Sequence, residues 1–363
     1  MFAAAWTASP QLPSEGFTPN WSREGFWRQS LRQVVRLTAG GERVRVRFSN
    51  AYGNSPVRIA SGSVARGGAA VRLTFGGAVE GEMPARGELV SDGVQLAVAA
   101  GESVVVTLYF DSATGPATFH AQAFATSCRG AGCLLGGEGF TESSESWYFL
   151  SAVETDSGRG DGIVLFGDSI TDGFGSTAGA DRRWSDALAS RTGRAVLNAG
   201  IGGNLLLNDS AWYGERGVRR FGRDVLQLAG VDTVVVLLGL NDIGFSETDV
   251  QPTYKPAPVV SAGEVIAGYR ELIRQARGLT VVGGTLLPFG GSDHWGERAA
   301  KVSCEVNEWV RGSGEFDRVV DLNRVMADPG ELDRLHPAYD FGDRLHPNDE
   351  GYGVMAEAVV RCL

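Results

Sequence analysis

Four separate segments of the sequence contribute residues whose types suit acyl transfer: Ser169, Gly203, Asn241 and the pair of Asp343 and His346. A serine hydroxyl becomes a strong nucleophile when a base takes its proton, and His346 could be that base if Asp343 orients its ring. The backbone N–H groups of Ser169 and Gly203 and the carboxamide of Asn241 could stabilise the oxyanion that forms. The set therefore predicts a serine nucleophile with a Ser-His-Asp triad.

Ser169 follows a short apolar run, which predicts a buried strand that delivers polar residues to its carboxyl end. The same residues also fit an ordinary strand-to-helix turn in which Ser169 is the N-cap. Asp168 and Asp172 are expected to shape the turn that presents the serine. Gly203 and Asn241, taken singly, could be turn residues, and their positions at successive strand ends favour the site instead.

A second Asp-x-x-His-Pro sequence at 333–337 makes His336 an alternative base. His346 is preferred because Asn348 follows it as the N-cap of a predicted last helix, whereas His336 is followed by a loop. The two other histidines, His120 and His294, have no metal-type spacing and are interpreted as structural or surface residues.

The second half of the chain alternates apolar runs with amphipathic stretches. Strands are predicted at 163–167, 195–199, 232–238, 279–286 and 317–322. Helices are predicted at 182–192, 217–229, 261–277, 295–311 and 349–362. Ser261 and Glu264 form a capping box for the third helix, and Gly278 is its expected C-cap. This alternation predicts a three-layer α/β domain with a parallel sheet, whose ligand site forms at the carboxyl ends of the strands.

The first half consists of short runs with period two, such as 43–48, separated by glycine, proline and asparagine. This pattern predicts an all-β sandwich. A polar, glycine-rich stretch at 155–162 marks the boundary, so the predicted domains are 1–157 and 158–363.

Composition narrows the function classes. The 363 residues carry a formal net charge of -10 without a basic tract, which argues against nucleic acid as a partner. No apolar run is long enough to span a membrane, and no signal peptide is visible, so the protein is expected to be cytoplasmic or to have lost a leader. A phosphate-binding loop is absent, which makes a nucleotide site improbable.

The four cysteines leave their pairing open. Cys128 and Cys133 enclose a four-residue loop, and a disulfide between them is slightly favoured over free thiols. Cys304 and Cys362 lie on predicted helices. A zinc site is not expected, because only His120 lies near the first cysteine pair and a structural site needs four ligands.

The Gly-Asp-Ser-Ile sequence at 167–170, Gly203, the Gly-Leu-Asn-Asp sequence at 239–242 and the Asp-Arg-Leu-His-Pro sequence at 343–347 resemble the motifs of the SGNH, or GDSL, hydrolases. The resemblance maps the four residues of that family's name onto Ser169, Gly203, Asn241 and His346. It implies a flavodoxin-like sheet and an esterase or lipase activity without a metal or other cofactor. The lack of a Gly-x-Ser-x-Gly sequence disfavours the α/β-hydrolase fold.

The first half is similar to the β-sandwich domain that precedes the catalytic domain in a bacterial subgroup of this family, which is often exported. A secreted or periplasmic location is therefore the expectation, with a cytoplasmic one as the alternative. The role of this domain and the oligomeric state stay open.

The predicted substrates are short-chain carboxylic esters, with acetyl esters of carbohydrates as one candidate. A longer-chain lipase, a thioesterase, an arylesterase and a non-catalytic carbohydrate-binding protein are the alternatives. Five residues that follow the same strand ends are candidates for the pocket wall: Trp212, Tyr213, Phe245, Pro288 and Phe289.

Overall fold

The computed structural model describes residues 1–363, which divide into two units. The first unit comprises Met1–Gly160 together with Gly193–Leu197, and the second comprises Asp161–Thr192 together with Asn198–Leu363. None of the helices combines the length and the apolar character needed to span a membrane.

The first unit is built from fifteen short strands that pair in antiparallel fashion. They are β1 (Ala3–Thr7), β2 (Gln29–Arg36), β3 (Gly41–Ser49), β4 (Val57–Ile59), β5 (Ser61–Arg66), β6 (Ala69–Arg72), β7 (Gly81–Met83), β8 (Glu88–Val90), β9 (Val94–Val98), β10 (Ser103–Phe110), β11 (Phe119–His120), β12 (Ser127–Ala131), β13 (Glu142–Ser144), β14 (Trp147–Tyr148) and β15 (Leu150–Thr155). One of the two larger sheets has the order β1-β15-β3-β8, with β9 also paired to β3, and the other has the order β13-β12-β2-β10-β5-β6. The pairs β4-β7 and β11-β14 form two-stranded sheets.

Strand β3 shows how the period-two pattern builds this unit. Val44, Val46 and Phe48 are fully buried and belong to a core that also contains residues of β2 and β10 from the other sheet. The intervening Arg45 and Arg47 form ion pairs with Glu154. Alternate residues thus face the core and the outside, as the pleat of a strand requires. The predicted all-β sandwich is confirmed.

The second unit alternates strands and helices. Its strands are β16 (Gly162–Gly167), β17 (Val196–Gly200, whose first two residues are grouped with the first unit), β18 (Val231–Leu237), β19 (Thr280–Gly284) and β20 (Arg318–Val320). Its helices are α1 (Ser169–Asp172), α2 (Trp184–Thr192), α3 (Gly217–Phe221), α4 (Leu240–Gly244), α5 (Ala262–Gln275), α6 (Glu297–Gly312), α7 (Leu322–Met326) and α8 (Asp349–Cys362). Short 3-10 turns cover Phe245–Glu247 and Pro252–Tyr254.

The strand order β17-β16-β18-β19-β20 corresponds to 2-1-3-4-5 along the chain of this unit. β16 runs parallel to β18, β18 to β19 and β19 to β20. This is the flavodoxin-like order, in which the connections change direction between the first and third strands and open a crevice at their carboxyl ends. The predicted α/β domain with a parallel sheet is confirmed, and β16 and β18 flank the expected crevice.

Helix ends follow their capping residues, with two corrections. The capping box of Ser261 and Glu264 is present at the start of α5, but the C-cap is Ala276, and Gly278 lies two residues further on with φ of 95°. The helix predicted at 217–229 is wrong in extent: α3 ends at Phe221 and a π-helical turn at Gly222–Leu226 follows. Glycine is a poor helix former, and Gly222 stands where the regular helix gives way to this wider turn.

The disulfide expected between Cys128 and Cys133 is wrong, because all four cysteines are free thiols. Cys128 is held within the extended strand β12, opposite Arg32 of β2. Cys133 follows the turn at Gly132, and its thiol lies 3.8 Å from the hydroxyl of Ser61. Strand pairing therefore commits the first cysteine to the sheet while the turn carries the second to another neighbour.

Candidate active site

The turn after β16 presents Ser169 at the amino end of α1. The Asp168 carboxylate accepts the N–H of Ile170 at 3.1 Å and is the N-cap, so the interpretation of Ser169 as the N-cap is wrong. Asp172 accepts the N–H of Gly202 at 3.0 Å and ties this turn to the loop after β17. The two carboxylates shape the turn, and the serine side chain is left available for chemistry.

Ser169, His346 and Asp343 form a continuous hydrogen-bonded chain. The Ser169 Oγ lies 2.8 Å from the His346 Nε2, and the His346 Nδ1 lies 2.6 Å from the Asp343 Oδ2. Because a carboxylate only accepts, the Nδ1 carries the proton and the Nε2 can accept the serine hydroxyl. The ring of Phe174 packs against the imidazole with 4.5 Å between centroids. The structure thus brings the three residues together in the arrangement that a triad requires.

Asp343 is held by its own loop as well as by the histidine. Its Oδ1 accepts the backbone N–H groups of Leu345 and His346 at 3.0 and 2.9 Å. Partial burial acts to raise the pKa of Asp343, but the hydrogen bond from the His346 side chain and those from the backbone of His346 and Leu345 keep this pKa below the ordinary value. The carboxylate therefore stays ionised and can orient the imidazole.

The alternative base, His336, makes its contacts with neighbours in its own loop. Its Nδ1 accepts the N–H of Ala338 at 3.2 Å, and its ring packs against Tyr339. Asn348 is the N-cap of α8, with its side chain accepting the N–H of Gly351. The start of that helix positions His346, whereas His336 closes a local turn.

Gly203 lies in the loop that follows β17, and Asn241 lies in the first turn of α4, shortly after β18. Gly203 has φ of 71°, and a Cβ at this position would come 2.4 Å from the Tyr213 ring. Glycine is therefore required both by the backbone conformation and by this close approach. The Asn241 Nδ2 donates one hydrogen bond to the Asn204 carbonyl at 3.0 Å, which leaves its second N–H for another acceptor.

Arg220 is a buried residue that the sequence motifs did not reveal. Its guanidinium donates to the carbonyls of Gly167 and Ala199, both at 2.8 Å, and to the Asn204 Oδ1 at 2.9 Å. The fully buried Asp224 balances its charge at 3.0 Å. Arg220 thus joins the ends of β16 and β17 to the loop that carries Gly203. An arginine and an aspartate four residues apart in an otherwise amphipathic helix were the only sequence signal.

Asp293 and His294 were also missed as site residues. The His294 Nε2 lies 3.1 Å from the Asn241 Oδ1, and its Nδ1 lies 2.6 Å from the Asp293 Oδ1. His294 is 1% exposed, so it is a buried partner of Asn241 and not a surface residue. His120 lies in the first unit, where its Nδ1 is 3.0 Å from the Ser9 carbonyl.

The five candidate pocket residues fall into two groups. Trp212, Tyr213 and Phe245 pack in one cluster with Leu205 and Tyr254, and the Tyr254 ring stacks on Phe245 with 3.9 Å between centroids. Pro288 and Phe289 instead line a cavity of about 250 Å³, together with Trp295 and Leu332. The structure therefore places the cluster that contains Tyr213 beside Gly203. Pro288 and Phe289 are not part of that cluster.

Two buried carboxyl groups lie behind the site. Burial raises the pKa of Asp168 to about 7, and the nearby Asp242 adds to this rise. Burial also raises the pKa of Asp242 to about 7, although its oxygens accept the N–H groups of Leu206 and Leu207 at 2.6 and 2.9 Å. Both groups take up protons on folding in mildly acidic solution.

These raised pKa values predict that stability decreases with rising pH. A group whose pKa is higher in the folded state than in the unfolded state stabilises the fold by binding a proton. This contribution is complete below the pKa of the unfolded state, near pH 4, and is lost as pH rises through the folded-state pKa of about 7. Asp168→Asn keeps the N-cap but cannot ionise. We expect the free energy of unfolding of this variant to fall less than that of wild type between pH 5 and 7. The difference between the two slopes should be up to about 1.4 kcal/mol per pH unit.

Urea denaturation of wild type and Asp168→Asn at pH 5, 6 and 7 measures this difference. Asp249→Asn is the matched control, because Asp249 is exposed and its ion pair with Lys255 lowers its pKa. The control should have the wild-type slope. Equal slopes in wild type and Asp168→Asn would show that Asp168 is not protonated on folding.

No group of three or more histidine, cysteine, aspartate and glutamate side chains has an arrangement that could hold a metal ion.

Part of the chain is similar to solved structures from several bacteria. A lipase/acylhydrolase from Enterococcus faecalis is 22% identical, with 55% of this chain and 94% of that chain covered and a TM-score of 0.43. A member of the lipolytic protein G-D-S-L family from Veillonella parvula is 18% identical, with 55% and 96% covered and a TM-score of 0.42. A carbohydrate acetylesterase from Sinorhizobium meliloti is 15% identical, with 55% and 97% covered and a TM-score of 0.41.

Comparison with curated protein sequences gives no match. Residues 165–354, just over half of the chain, match the model of the GDSL-like lipase/acylhydrolase family. The matched region begins within β16 and ends within α8, so it includes Ser169, Gly203, Asn241, Asp343 and His346. The chain belongs to the GDSL-like lipase/acylhydrolase family.

Proposed function

We propose that the protein hydrolyses short-chain carboxylic esters with Ser169 as the nucleophile, His346 as the base and Asp343 as the residue that orients it. The observation that carries this proposal is the hydrogen-bonded chain from the Ser169 Oγ through both His346 nitrogens to the Asp343 carboxylate, at 2.8 and 2.6 Å. Membership of an acylhydrolase family supports ester hydrolysis as the reaction class.

In the first half of the reaction, the Ser169 Oγ attacks the ester carbonyl carbon while its proton moves to the His346 Nε2. The carbonyl double bond opens to an oxyanion, and Asp343 stabilises the imidazolium. His346 then gives the proton to the leaving alcohol oxygen as the ester C–O bond breaks. The products are the free alcohol and an acyl group on Ser169, which a water molecule removes by the same steps.

Three donors are proposed to stabilise the oxyanion: the backbone N–H groups of Ser169 and Gly203 and the carboxamide of Asn241. The Ser169 N–H belongs to the first residue of α1 and has no acceptor within that helix. The Asn241 carboxamide has one N–H that is not used by the Asn204 carbonyl. Fixed donors of this kind act when charge develops and need no reorganisation.

The packing around Gly203 favours a small acyl group. Tyr213 is buried directly against the Gly203 backbone, and Phe245 and Tyr254 stack behind it. These rings fill space that a long acyl chain would otherwise occupy. Trp212, Tyr213 and Phe245 are therefore proposed to bound the acyl site, whereas Pro288 and Phe289 line a separate cavity.

The acyl-chain preference can be measured with p-nitrophenyl esters from acetate to palmitate. We expect kcat/KM to be highest for acetate or butyrate and to fall for chains of eight or more carbons. A maximum at long chains would replace the proposal by a lipase, and preference for thioesters or aryl acetates of equal acyl length would indicate those classes. Release of acetate from acetylated xylan tests whether carbohydrate esters are substrates. Glycan binding without turnover of any ester would indicate a binding protein.

A further inference from the structure

The orientation of the Asn241 carboxamide is determined by its two neighbours. The Asn204 carbonyl can only accept a hydrogen bond, so the Asn241 Nδ2 must face it, at 3.0 Å. The Asn241 Oδ1 then faces the His294 Nε2 at 3.1 Å. Exchanging the two amide atoms would place two acceptors together at Asn204. The Oδ1 therefore needs a donor from His294.

The same reasoning fixes the number of protons on the pair of Asp293 and His294. The His294 Nε2 must carry a proton for Asn241, and a further proton must lie between the Nδ1 and the Asp293 Oδ1, which are 2.6 Å apart. Imidazole is more basic than a carboxylate, so this second proton belongs to His294. The hydrogen bond from His294 lowers the pKa of Asp293, which agrees with an ionised carboxylate.

We propose that His294 is a positioning residue of the oxyanion hole, held as an imidazolium by Asp293, which orients the Asn241 carboxamide and strengthens its free N–H as a donor. This inference rests on the proposed role of Asn241 in ester hydrolysis. A cation that donates to the amide oxygen draws electron density from the amide nitrogen, and charge-assisted hydrogen bonds of this kind are stronger than neutral ones.

Aromatic rings pack around His294 and keep it in place, and a tyrosine hydroxyl contacts its partner Asp293. The rings of Phe245 and Tyr254 meet its imidazole edge to face, at 5.4 and 5.5 Å between centroids. The Tyr254 hydroxyl donates to the Asp293 Oδ2 at 3.4 Å, and burial raises the pKa of Tyr254, so it stays neutral.

The neighbouring elements carry other carboxyl groups, which are distinct from the partner of His294. Asp242 of α4 accepts the N–H groups of Leu206 and Leu207. Asp343, the acid of the triad, acts on Asp293 through its charge. Glu247 follows α4, forms an ion pair with Arg298 of α6, and lies close to Gly296 in the loop that carries His294. Asp293 is thus the carboxylate in direct contact with the imidazole.

Deprotonation of His294 should therefore weaken the oxyanion hole. A neutral imidazole would keep its Nδ1 proton for Asp293 and turn an unprotonated Nε2 toward the Asn241 Oδ1, so that two acceptors face each other. The amide would lose its restraint and its polarisation. The proton on the His294 Nε2 is therefore what keeps the Asn241 carboxamide in its donating orientation.

His294→Gln tests the inference, because glutamine can still donate to Asn241 but has no charge and does not titrate. We expect kcat to fall about tenfold, less than for loss of a whole donor. KM should stay nearly constant, because the oxyanion forms only after the ester is bound. Asp293→Asn removes the carboxylate that holds the imidazolium and should lower kcat as well. His336→Gln is the matched control and should match wild type in kcat and KM.

A second measurement is independent of catalysis. The ¹⁵N NMR signals of the imidazole nitrogens report whether each is protonated, and the signals absent from His294→Gln identify His294. We expect both of its nitrogens to be protonated at pH 7. A neutral ring, or an unchanged kcat in a folded His294→Gln protein, overturns the inference. Failure of the proposed function is distinct: it would appear as ester hydrolysis that survives in Ser169→Ala.

Discussion

Ser169→Ala should abolish ester hydrolysis, lowering kcat/KM by roughly 10⁴-fold or more. The variant lacks the Ser169 Oγ, which lies 2.8 Å from the His346 Nε2 and is the proposed nucleophile. Without this oxygen no acyl-enzyme can form. His346→Ala should cause a loss of similar size, because the serine hydroxyl then has no base. The double variant should be no worse than either single one, since the two residues act as a unit. Initial rates with p-nitrophenyl acetate measure all three.

Two controls separate this loss from unfolding. The far-UV circular dichroism and the Tm of each variant should stay close to wild type, because Ser169 is partly exposed and its α1 turn is capped by Asp168. His336→Ala removes the histidine of the other Asp-x-x-His-Pro sequence and should keep full activity. Loss of activity in His336→Ala together with an active His346→Ala would reverse the assignment of the base.

Asn241→Ala should lower kcat by about 10²- to 10³-fold with a much smaller effect on KM. The Asn241 carboxamide is proposed to meet the oxyanion, which exists only after attack, so its removal should destabilise the transition state more than the bound ester. The variant also leaves the Asn204 carbonyl and His294 without their partner, at a cost of about 1–3 kcal/mol of stability. Rates must therefore be measured well below the Tm of the variant.

Asn241→Asp provides the sharper comparison. It keeps the side-chain volume and an acceptor for His294, but it replaces the donating Nδ2 by an oxygen. We expect its kcat to be at least as low as that of Asn241→Ala, because the new oxygen would repel the oxyanion. The exposed Asn54 of the first unit serves as the control, and Asn54→Ala should be fully active. A kcat within about threefold of wild type in both Asn241 variants would remove the carboxamide from the proposed hole.

Local sequence was sufficient where the chemistry depends on residues close together in the chain. The apolar run before Ser169 predicted β16, and all six residues of that strand are buried. Asp343 and His346 are three residues apart, so one loop brings their side chains within 2.6 Å. The change of period from two to helical also predicted the two fold classes, a sandwich and an α/β unit, because each periodicity reflects which faces of an element meet the core.

The sequence was insufficient where contacts join distant loops. Trp212 and Phe289 both follow strands, yet Trp212 packs with Phe245 and Tyr254, whereas Phe289 lines a cavity with residues of α6. The free thiol of Cys128 likewise depends on a neighbour that is remote in the chain, because its strand pairs with β2. Neither periodicity nor spacing encodes such contacts.

The sequence by itself determined the fold class and the identity of Ser169, Gly203, Asn241, Asp343 and His346 as the candidate site, since each is marked by a strand end or a short local motif. Only the tertiary structure decided that Arg220 joins the strand ends and that His294 contacts Asn241 across 53 residues of chain. A buried hydrogen bond between two loops depends on where packing brings their backbones, and a single arginine or histidine carries no local pattern that states this position.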